Sequence, residues 1–418
     1  MVNGGQLELT APAIGYGPLV LNNSARLIMD NITLTNEVDI QGPSTTLLVV
    51  SNTQNVISGP VTGGGEWICS SVGTNDLQVF SGSMSGFTGV LELGNSVGVF
   101  EFNNNTNNNL CTGSSAASFD LGSGSAVLDN YNGENAVYDL GSLAGGPNTV
   151  LTGRSSSSSP VAGTTYSIGA NGQTATFAGT ISNRLDTVSI NKVGSGIWYL
   201  NGNNTYTGAT TVSGGTLGGV GSIASPLTLD ASATLEPGTS PATTGVFTIS
   251  NSATLQGTVV LKLNQAGIAT SNDEVAVSGA LTVSGPLVVN SIGGTLVNGT
   301  TFQLFNQAVS GFSSITLPTG GGSYAWATNL AVNGSIKLLS GGTVSLAPVR
   351  LTTSLSGGVL NISWPADHLG WKLESETNSL SVGINNNWVV VPGSTAVTNV
   401  PVNVDPTAPT VFYRLVSP

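Results

Sequence analysis

Charge is what this sequence has least of. Charged residues are only 7% of the 418 residues, with 9 Lys and Arg against 21 Asp and Glu, whereas roughly 25% is usual in soluble domains. So few charged side chains leave little material for exposed helix surface, and we expect almost no helix. The formal net charge of −12 comes with cations that are scattered along the chain. We therefore expect neither nucleic acid nor an anionic membrane surface as a partner.

Long apolar runs are also missing, as are several signatures of ligand sites. No stretch is apolar enough to span a bilayer as a helix, so we expect no membrane-spanning segment. The first ten residues lack a basic region followed by an apolar stretch and a cleavage site, and we expect an exported chain, extracellular or on the cell surface, whose signal peptide is not present. A calcium nonapeptide, a Cys/His ligand set and a P-loop are absent too. We therefore expect no metal and no cofactor.

The sequence has two cysteines, Cys69 and Cys111. A disulfide between them fits an oxidising compartment. With about twenty residues per solenoid turn they would lie two turns apart, roughly 9 to 10 Å, which exceeds the roughly 7 Å limit for a disulfide. The Asn-rich segment at 103–109 would have to form an inserted loop to bring them together. The sequence therefore leaves two alternatives for Cys69 and Cys111, a disulfide or two buried free thiols.

Candidate catalytic residues are few. Asp367 and His368 stand beside Trp364, where they would form either an acid/base pair or a solvated turn, and no nucleophile or orienting group accompanies them. Asp273 and Glu274 are an adjacent acidic pair that we interpret as a solvated corner before a strand. Enzymes that cut polysaccharides need clustered carboxylates, and here the acidic residues are thinly spread. We therefore predict that the protein is not an enzyme.

Short runs of alternating apolar and small polar residues recur along most of the chain, separated by glycine-containing steps. Thr210-Thr211-Val212 and Leu281-Thr282-Val283 are typical of such strands, and glycine permits the sharp corners between them. The Ser-rich run at 155–159 interrupts this pattern and is predicted to be a flexible loop. We expect a coil of short strands, with roughly fourteen to seventeen turns of about twenty residues.

The strongest internal repeat runs from Lys192 to Leu217, and a fainter copy covers 81–94. In both, an aromatic residue is followed by Thr-Gly and then by a strand, which predicts one buried ring per turn and a corner that only glycine fits. The residues that define the repeat are Lys192, Gly194, Gly196, Tyr206, Thr207, Gly208, Gly214, Gly215 and Leu217.

This segment resembles the autotransporter-associated β-strand repeat of large exported bacterial proteins, and weaker similarity extends from about Pro60 to Ser340. The resemblance implies an all-β chain with a right-handed parallel β-helix displayed outside the cell. It implies a scaffold and no activity. One departure is that no membrane barrel pattern of repeated ten-residue strands follows the repeats.

The sequence changes character after Pro348. Trp364, Trp371 and Trp388 appear there together with a cluster of charges, and four or more short strand patterns predict a small antiparallel β-sandwich. We therefore divide the chain into a β-solenoid at 1–347 and a carboxy-terminal cap, anchor or docking domain at 348–418.

Three functions follow from this organisation. The first is an extracellular structural or adhesive surface protein, which becomes a fibre subunit if it assembles head to tail, because an open solenoid end invites end-to-end self-association. The second is a module that binds surface polysaccharide, with exposed aromatic rings drawn from Trp326, Trp364, Trp371 and Trp388. The third and most remote is a β-helix enzyme that degrades polysaccharide, which would require a charged cleft.

Overall fold

The computed structural model describes residues 1–10, 15–43, 45–49, 54–71, 73–103, 111–131, 136–155, 163–266, 269–322, 324–407 and 409–417. The predicted loops at 104–109 and 156–159 lie outside these residues. The chain divides into two compact units. One comprises Met1–Leu261, Asp273–Val288 and Phe305–Thr316, and the other comprises Lys262–Asn272, Val289–Leu304 and Leu317–Pro418.

The first unit is a parallel β-solenoid of about 12 turns. Its longest sheet has thirteen strands, and every pairing along it is parallel. The strands of this thirteen-stranded sheet are Gln6–Glu8, Arg26–Met29, Thr45–Val49, Glu66–Ser71, Val90–Glu92, Gly113–Asp120, Val137–Ala144, Gly163–Ile168, Thr187–Lys192, Thr210–Val212, Leu227–Leu229, Ala253–Leu255 and Leu281–Val283.

Shorter sheets close the coil on its other sides. The five-stranded sheet has Val2–Asn3, Leu19–Asn22, Val38–Ile40, Val61–Gly63 and Gly86–Phe87. The seven-stranded sheet has Thr33–Leu34, Gln54–Ile57, Leu77–Phe80, Val99–Asn103, Val127–Tyr131, Val150–Arg154 and Thr180–Ser182. The eight-stranded sheet has Ala175–Phe177, Ile197–Leu200, Thr216–Gly219, Thr234–Pro237, Thr258–Ala266, Ala269–Asn272, Leu287–Ser291 and Ile315–Thr316. The four-stranded sheet has Asn203–Asn204, Ser222–Ile223, Val246–Ile249 and Glu274–Val277.

The second unit contains three small antiparallel sheets. The first has Thr301–Gln303, Ala325–Asn329 and Ser335–Ser340; the other two have Thr352–Ser356, Val359–Ser363 and Asn399–Asn403, and Lys372–Asn378, Val389–Val390 and Thr410–Val416. Ile362, Trp364, Leu373 and Val400 form one core that the last two sheets share. The helices are Leu330–Asn333 and the short 3₁₀ turns Gly320–Gly322, Ala366–His368 and Ser394–Ala396.

The predicted fold class is confirmed: an all-β chain with a parallel solenoid followed by small antiparallel sheets. The expected number of turns is wrong, because the turns are not uniform. Thr211 pairs with Thr228 on the next turn, whereas Leu91 pairs with Phe119, which is a much longer step along the chain. Long turns consume more of the chain for each step along the solenoid axis, so fewer turns fit. The division at residue 347 stays a prediction.

Candidate functional site

The predicted repeat residues lie in one compact stretch of the solenoid. Tyr206 and Leu217 are buried in its core, and the ring of Tyr206 fills the interior as the repeat pattern requires. Its hydroxyl lies 2.6 Å from Thr210 Oγ1, which in turn lies 2.6 Å from Ser225 Oγ. This short chain of hydroxyls satisfies polar groups inside an apolar core, where an unpaired group would be costly.

Lys192 is the most unusual residue of the repeat because its side chain is buried. Its Nζ donates hydrogen bonds to the carbonyl oxygens of Val193 at 2.7 Å, Gly214 at 3.1 Å and Gly194 at 3.4 Å. Desolvation by burial lowers the pKa of Lys192 to about 8. The amino group therefore links the corner at Val193 and Gly194 to the corner at Gly214 on the next turn. These contacts are those of a structural residue.

Two glycines of the repeat are required by close approach between turns. Gly194 has a φ of 69°, and a Cβ built on it would lie 2.0 Å from the carbonyl oxygen of Gly169. A Cβ on Gly208 would lie 2.3 Å from the carbonyl oxygen of Val188. Any side chain at either position would push neighbouring turns apart. The other predicted repeat residues occupy the same stretch: Gly196, Thr207, Gly214 and Gly215.

A continuous column of aromatic rings, called the aromatic stack below, runs through the solenoid interior ahead of this repeat, and its rings meet edge-on, tilted or, for Phe102 and Tyr138, face to face. Ring centroids lie 5.8 Å apart between Trp67 and Phe80, 6.3 Å between Phe80 and Phe102, 5.9 Å between Phe102 and Tyr138, and 5.8 Å between Tyr138 and Tyr166. Phe80 and Phe102 are register partners on successive turns, as are Tyr138 and Tyr166. The stack stabilises the coil beyond simple burial, and the repeat pattern in the sequence did not predict it.

The seven-stranded sheet carries a charged cluster that the sequence did not predict. Its register pairs Glu101 with Asp129 on the next turn. Phe100 and Phe102 point into the core, so Glu101 between them points outward by strand alternation. Even so, Glu101 is only 5% exposed and Asp129 is fully buried. Two carboxylates are therefore held side by side and out of water.

Arg184 and Ser155 cover these carboxylates. Arg184 Nη1 forms an ion pair with Asp129 Oδ2, and Ser155 Oγ donates to Glu101 Oε2 at 2.5 Å. Burial, followed by the negative charge of Glu101, raises the pKa of Asp129 to about 8 although Arg184 opposes the shift. Burial also raises the pKa of Glu101, against the hydrogen bond from Ser155 and the charge of Arg184.

A second set of polar residues supports this cluster. Asp186 accepts hydrogen bonds from the backbone N–H of Arg154 at 2.8 Å and from Thr164 Oγ1 at 2.5 Å. Asn130 Nδ2 donates to Thr164 Oγ1 at 3.1 Å. These contacts fix the 184–186 segment over the sheet, which places the guanidinium of Arg184 above Asp129.

The cluster lies at the side of a groove of about 370 Å³ that crosses successive turns. Leu77 and Val99, which are paired in register, are half-buried and give it an apolar strip. The residues that line it are Gln54, Thr74, Asn75, Asp76, Leu77, Val99, Glu101, Asp129, Tyr131, Ser155 and Arg184. The expectation of thinly spread acidic residues thus fails locally, because register joins residues that are far apart in sequence.

The predicted catalytic candidates occupy structural positions. His368 is buried rather than solvated; its Nδ1 lies 2.6 Å from Asp367 Oδ1 and its Nε2 lies 2.7 Å from the carbonyl oxygen of Ala347. Both ring nitrogens are therefore engaged. Asp273 is also buried, where it accepts a hydrogen bond from the backbone N–H of Gly245 at 2.8 Å, so the prediction of a solvated corner is wrong for this residue. Glu274 begins a strand, as predicted.

The tryptophans that we considered as sugar platforms are mostly covered. Trp364 and Trp371 are buried, and Trp371 Nε1 donates to the carbonyl oxygen of Ser345 at 2.8 Å. Trp388 has its ring face occupied by the guanidinium of Arg414, 4.2 Å from the ring centroid. Trp326 contacts the rings of Phe302 and Tyr324 and is half-buried.

Both cysteines are buried free thiols in the structure. Burial raises the pKa of Cys111 to about 12, and it raises the pKa of Cys69 further. Thiols in such surroundings are poor nucleophiles. Neither cysteine belongs to the charged groove.

Residues 190–218 match the family model of the passenger-associated-transport-repeat. The match coincides with the repeat that the sequence predicts, and together with the solenoid it indicates a passenger-like domain of an exported, surface-associated protein. A search of curated proteins finds no match to the chain.

Two further properties concern the described part of the chain. There, no helix is both long and apolar enough to cross a membrane. Within the same residues, no group of three or more His, Cys, Asp or Glu side chains is arranged to hold a metal ion.

Proposed function

We propose that this chain is a non-catalytic structural or adhesive element of an extracellular bacterial surface protein. The observation that carries the proposal is a transport repeat at residues 190–218 set within a parallel ladder of thirteen strands. In a solenoid each turn contacts only its neighbours, so mechanical load passes along the backbone hydrogen bonds from turn to turn. The tight glycine corners and the buried Lys192 serve that purpose.

End-to-end self-association is part of this proposal. Edge strands of a solenoid carry backbone groups that pair with a further strand, and charged side chains are the usual defence against such pairing. Only 7% of this chain is charged. A head-to-tail contact that does not close into a ring extends into a fibre.

We propose that residues 348–418 form a cap, anchor or docking domain. Its support is an unusual exposure of large apolar side chains: Leu380 is 80%, Val389 is 66% and Ile384 is 63% exposed. Such residues on a small domain are typical of an interaction surface.

The charged groove favours polysaccharide binding as the second candidate function. A glycosidase also uses two carboxyl groups, of which the general acid has a raised pKa, and here the pKa of both Glu101 and Asp129 is raised. A general acid must reach the leaving oxygen, however, and Asp129 lies fully buried beneath Arg184. The groove therefore favours binding over bond cleavage.

Electron microscopy provides the test. Immunogold labelling of the source cells should place the protein on the outer surface, and label confined to the cell interior would refute the proposal. Negative-stain images of purified native protein without ligand then separate the assembly states. Long filaments would support head-to-tail assembly, whereas separate particles would refute obligatory polymerisation and favour an anchored adhesin.

A further inference from the structure

The groove on the seven-stranded sheet combines an exposed polar rim, an arginine side chain and an apolar strip. Its rim is exposed and polar, with Gln54, Thr74 and Asn75 on one side. Arg184 stands on the other, with 43% of its side chain exposed. Between them lie the half-buried apolar side chains of the paired residues Leu77 and Val99.

The buried charges beneath this rim are costly for folding. The desolvation free energy of two buried carboxylates is offset only where each oxygen accepts a hydrogen bond or forms an ion pair. Asp129 Oδ1 is buried without a hydrogen-bond partner among the residues that the structure describes. A chain that otherwise uses so few charges gains no stability from this arrangement. Perturbed acidic groups beside a groove are instead typical of a functional site.

The charges also define the class of ligand. An anionic ligand would approach the acidic side chain of Glu101, and a cationic ligand would approach the exposed guanidinium of Arg184. A neutral ligand with many hydroxyl groups avoids both penalties, since it can donate to the exposed amide oxygen of Gln54 and accept from the guanidinium of Arg184. Apolar sugar faces match the strip formed by Leu77 and Val99.

We propose that this groove binds a neutral polysaccharide chain, laid across successive turns of the solenoid. Arg184, Gln54 and Tyr131 contact the sugar hydroxyls. Asp129 is a positioning residue, because its Oδ2 accepts a hydrogen bond from Nη1 of Arg184 and so holds the guanidinium over the groove. The inference rests on the proposed function only in that an extracellular location supplies the polysaccharide; the site itself can be tested on the purified chain.

Affinity gel electrophoresis of the full chain tests the site, with soluble galactomannan, xyloglucan, mixed-linkage β-glucan or dextran cast into native gels. Polygalacturonate and alginate gels serve as acidic comparisons. We expect at least one neutral polymer to retard the wild-type chain. Arg184→Gln and Gln54→Ala should each lower the apparent affinity about tenfold or more. The matched controls are Arg26→Gln and Gln256→Ala, which alter exposed residues away from the groove and should migrate as wild type does.

Hydrogen exchange of the wild-type chain locates the bound polymer, so the test does not depend on whether a variant folds. Hydrogen exchange of the wild-type chain, with and without the retarding polymer, should show protection within 99–103 and 127–131 and none within 227–229. Three results would overturn the proposal: no retardation by any of the four neutral polymers, retardation by the acidic polymers alone, or equal retardation of Arg184→Gln and wild type. Each of these results leaves the surface location of the protein untouched, so the two proposals fail separately.

Discussion

The corner at Gly194 offers the sharpest test of how the repeat builds the solenoid. Replacing Gly194 with Ala forces a Cβ into a left-handed backbone, which costs roughly 1 to 2 kcal/mol. The new atom would also lie 2.0 Å from the carbonyl oxygen of Gly169 on the preceding turn, and such overpacking costs about 1 to 3 kcal/mol. We therefore expect Gly194→Ala to destabilise this region by about 2 to 5 kcal/mol.

Gly214 provides the matched control, because it belongs to the same repeat and differs from Gly194 in local geometry. Its φ is not positive, and a Cβ there would lie 3.3 Å from the nearest atom, the carbonyl oxygen of Gly194. Gly214→Ala should change stability by less than about 1 kcal/mol.

The assay must report on single turns, because solenoids unfold in parts and violate two-state analysis. Native-state hydrogen exchange of peptides within 190–218 gives a local free energy of opening. Gly194→Ala should lower that free energy by at least about 2 kcal/mol more than Gly214→Ala. If the two variants lose the same free energy, contact between turns is not what makes glycine necessary, and the reasoning fails.

Three further predictions concern the interior of the solenoid. Since the raised pKa of Asp129 lies near 8 against an ordinary value of 3.8, its protonated form favours folding below pH 4, and that contribution is lost as the pH rises towards 8. Asp129→Asn should therefore gain stability relative to wild type across this window, by up to about 5 kcal/mol in the local opening free energy that hydrogen exchange reports for peptides within 127–131 at pH 4.5, 6 and 8; a difference independent of pH would contradict the shift. Cys69 and Cys111 should give two titratable thiols in denaturant without reductant and none in the native protein, whereas zero thiols in denaturant would show a disulfide. Phe102→Ala should lose about 3 to 5 kcal/mol of local opening free energy in hydrogen exchange, with half-buried Phe312→Ala losing less; equal losses would count against the aromatic stack.

The sequence predicts the solenoid because each short strand and the glycines at its corners can be identified within a few consecutive residues. The strand Thr210–Val212 and the flanking Gly208 and Gly214 form a pattern that can be recognised in a short stretch of sequence. The structure then shows that contact with the neighbouring turn is what requires glycine at Gly208. The charged groove could not be predicted in this way. Glu101 and Asp129 lie on successive long turns, and Arg184 comes from a segment much later in the sequence. Only the register between turns of unequal length brings them together.

Turn length differs between the matched repeat and the turns beside the groove. Around the matched repeat the turns are compact, since Trp198 already pairs with Leu217, which leaves little chain beyond the strands and corners. Two turns beside the groove are longer, since Val99 pairs with Val127 and Leu151 pairs with Ile181. Ser155 lies within the second of these turns, whereas Arg184 lies three residues beyond Ile181, and both side chains cover the sheet beside the groove. A compact turn has too few residues outside its strands and corners to form such a cover. We therefore infer that the repeat supplies the scaffold while the long turns provide the surface that recognises a ligand.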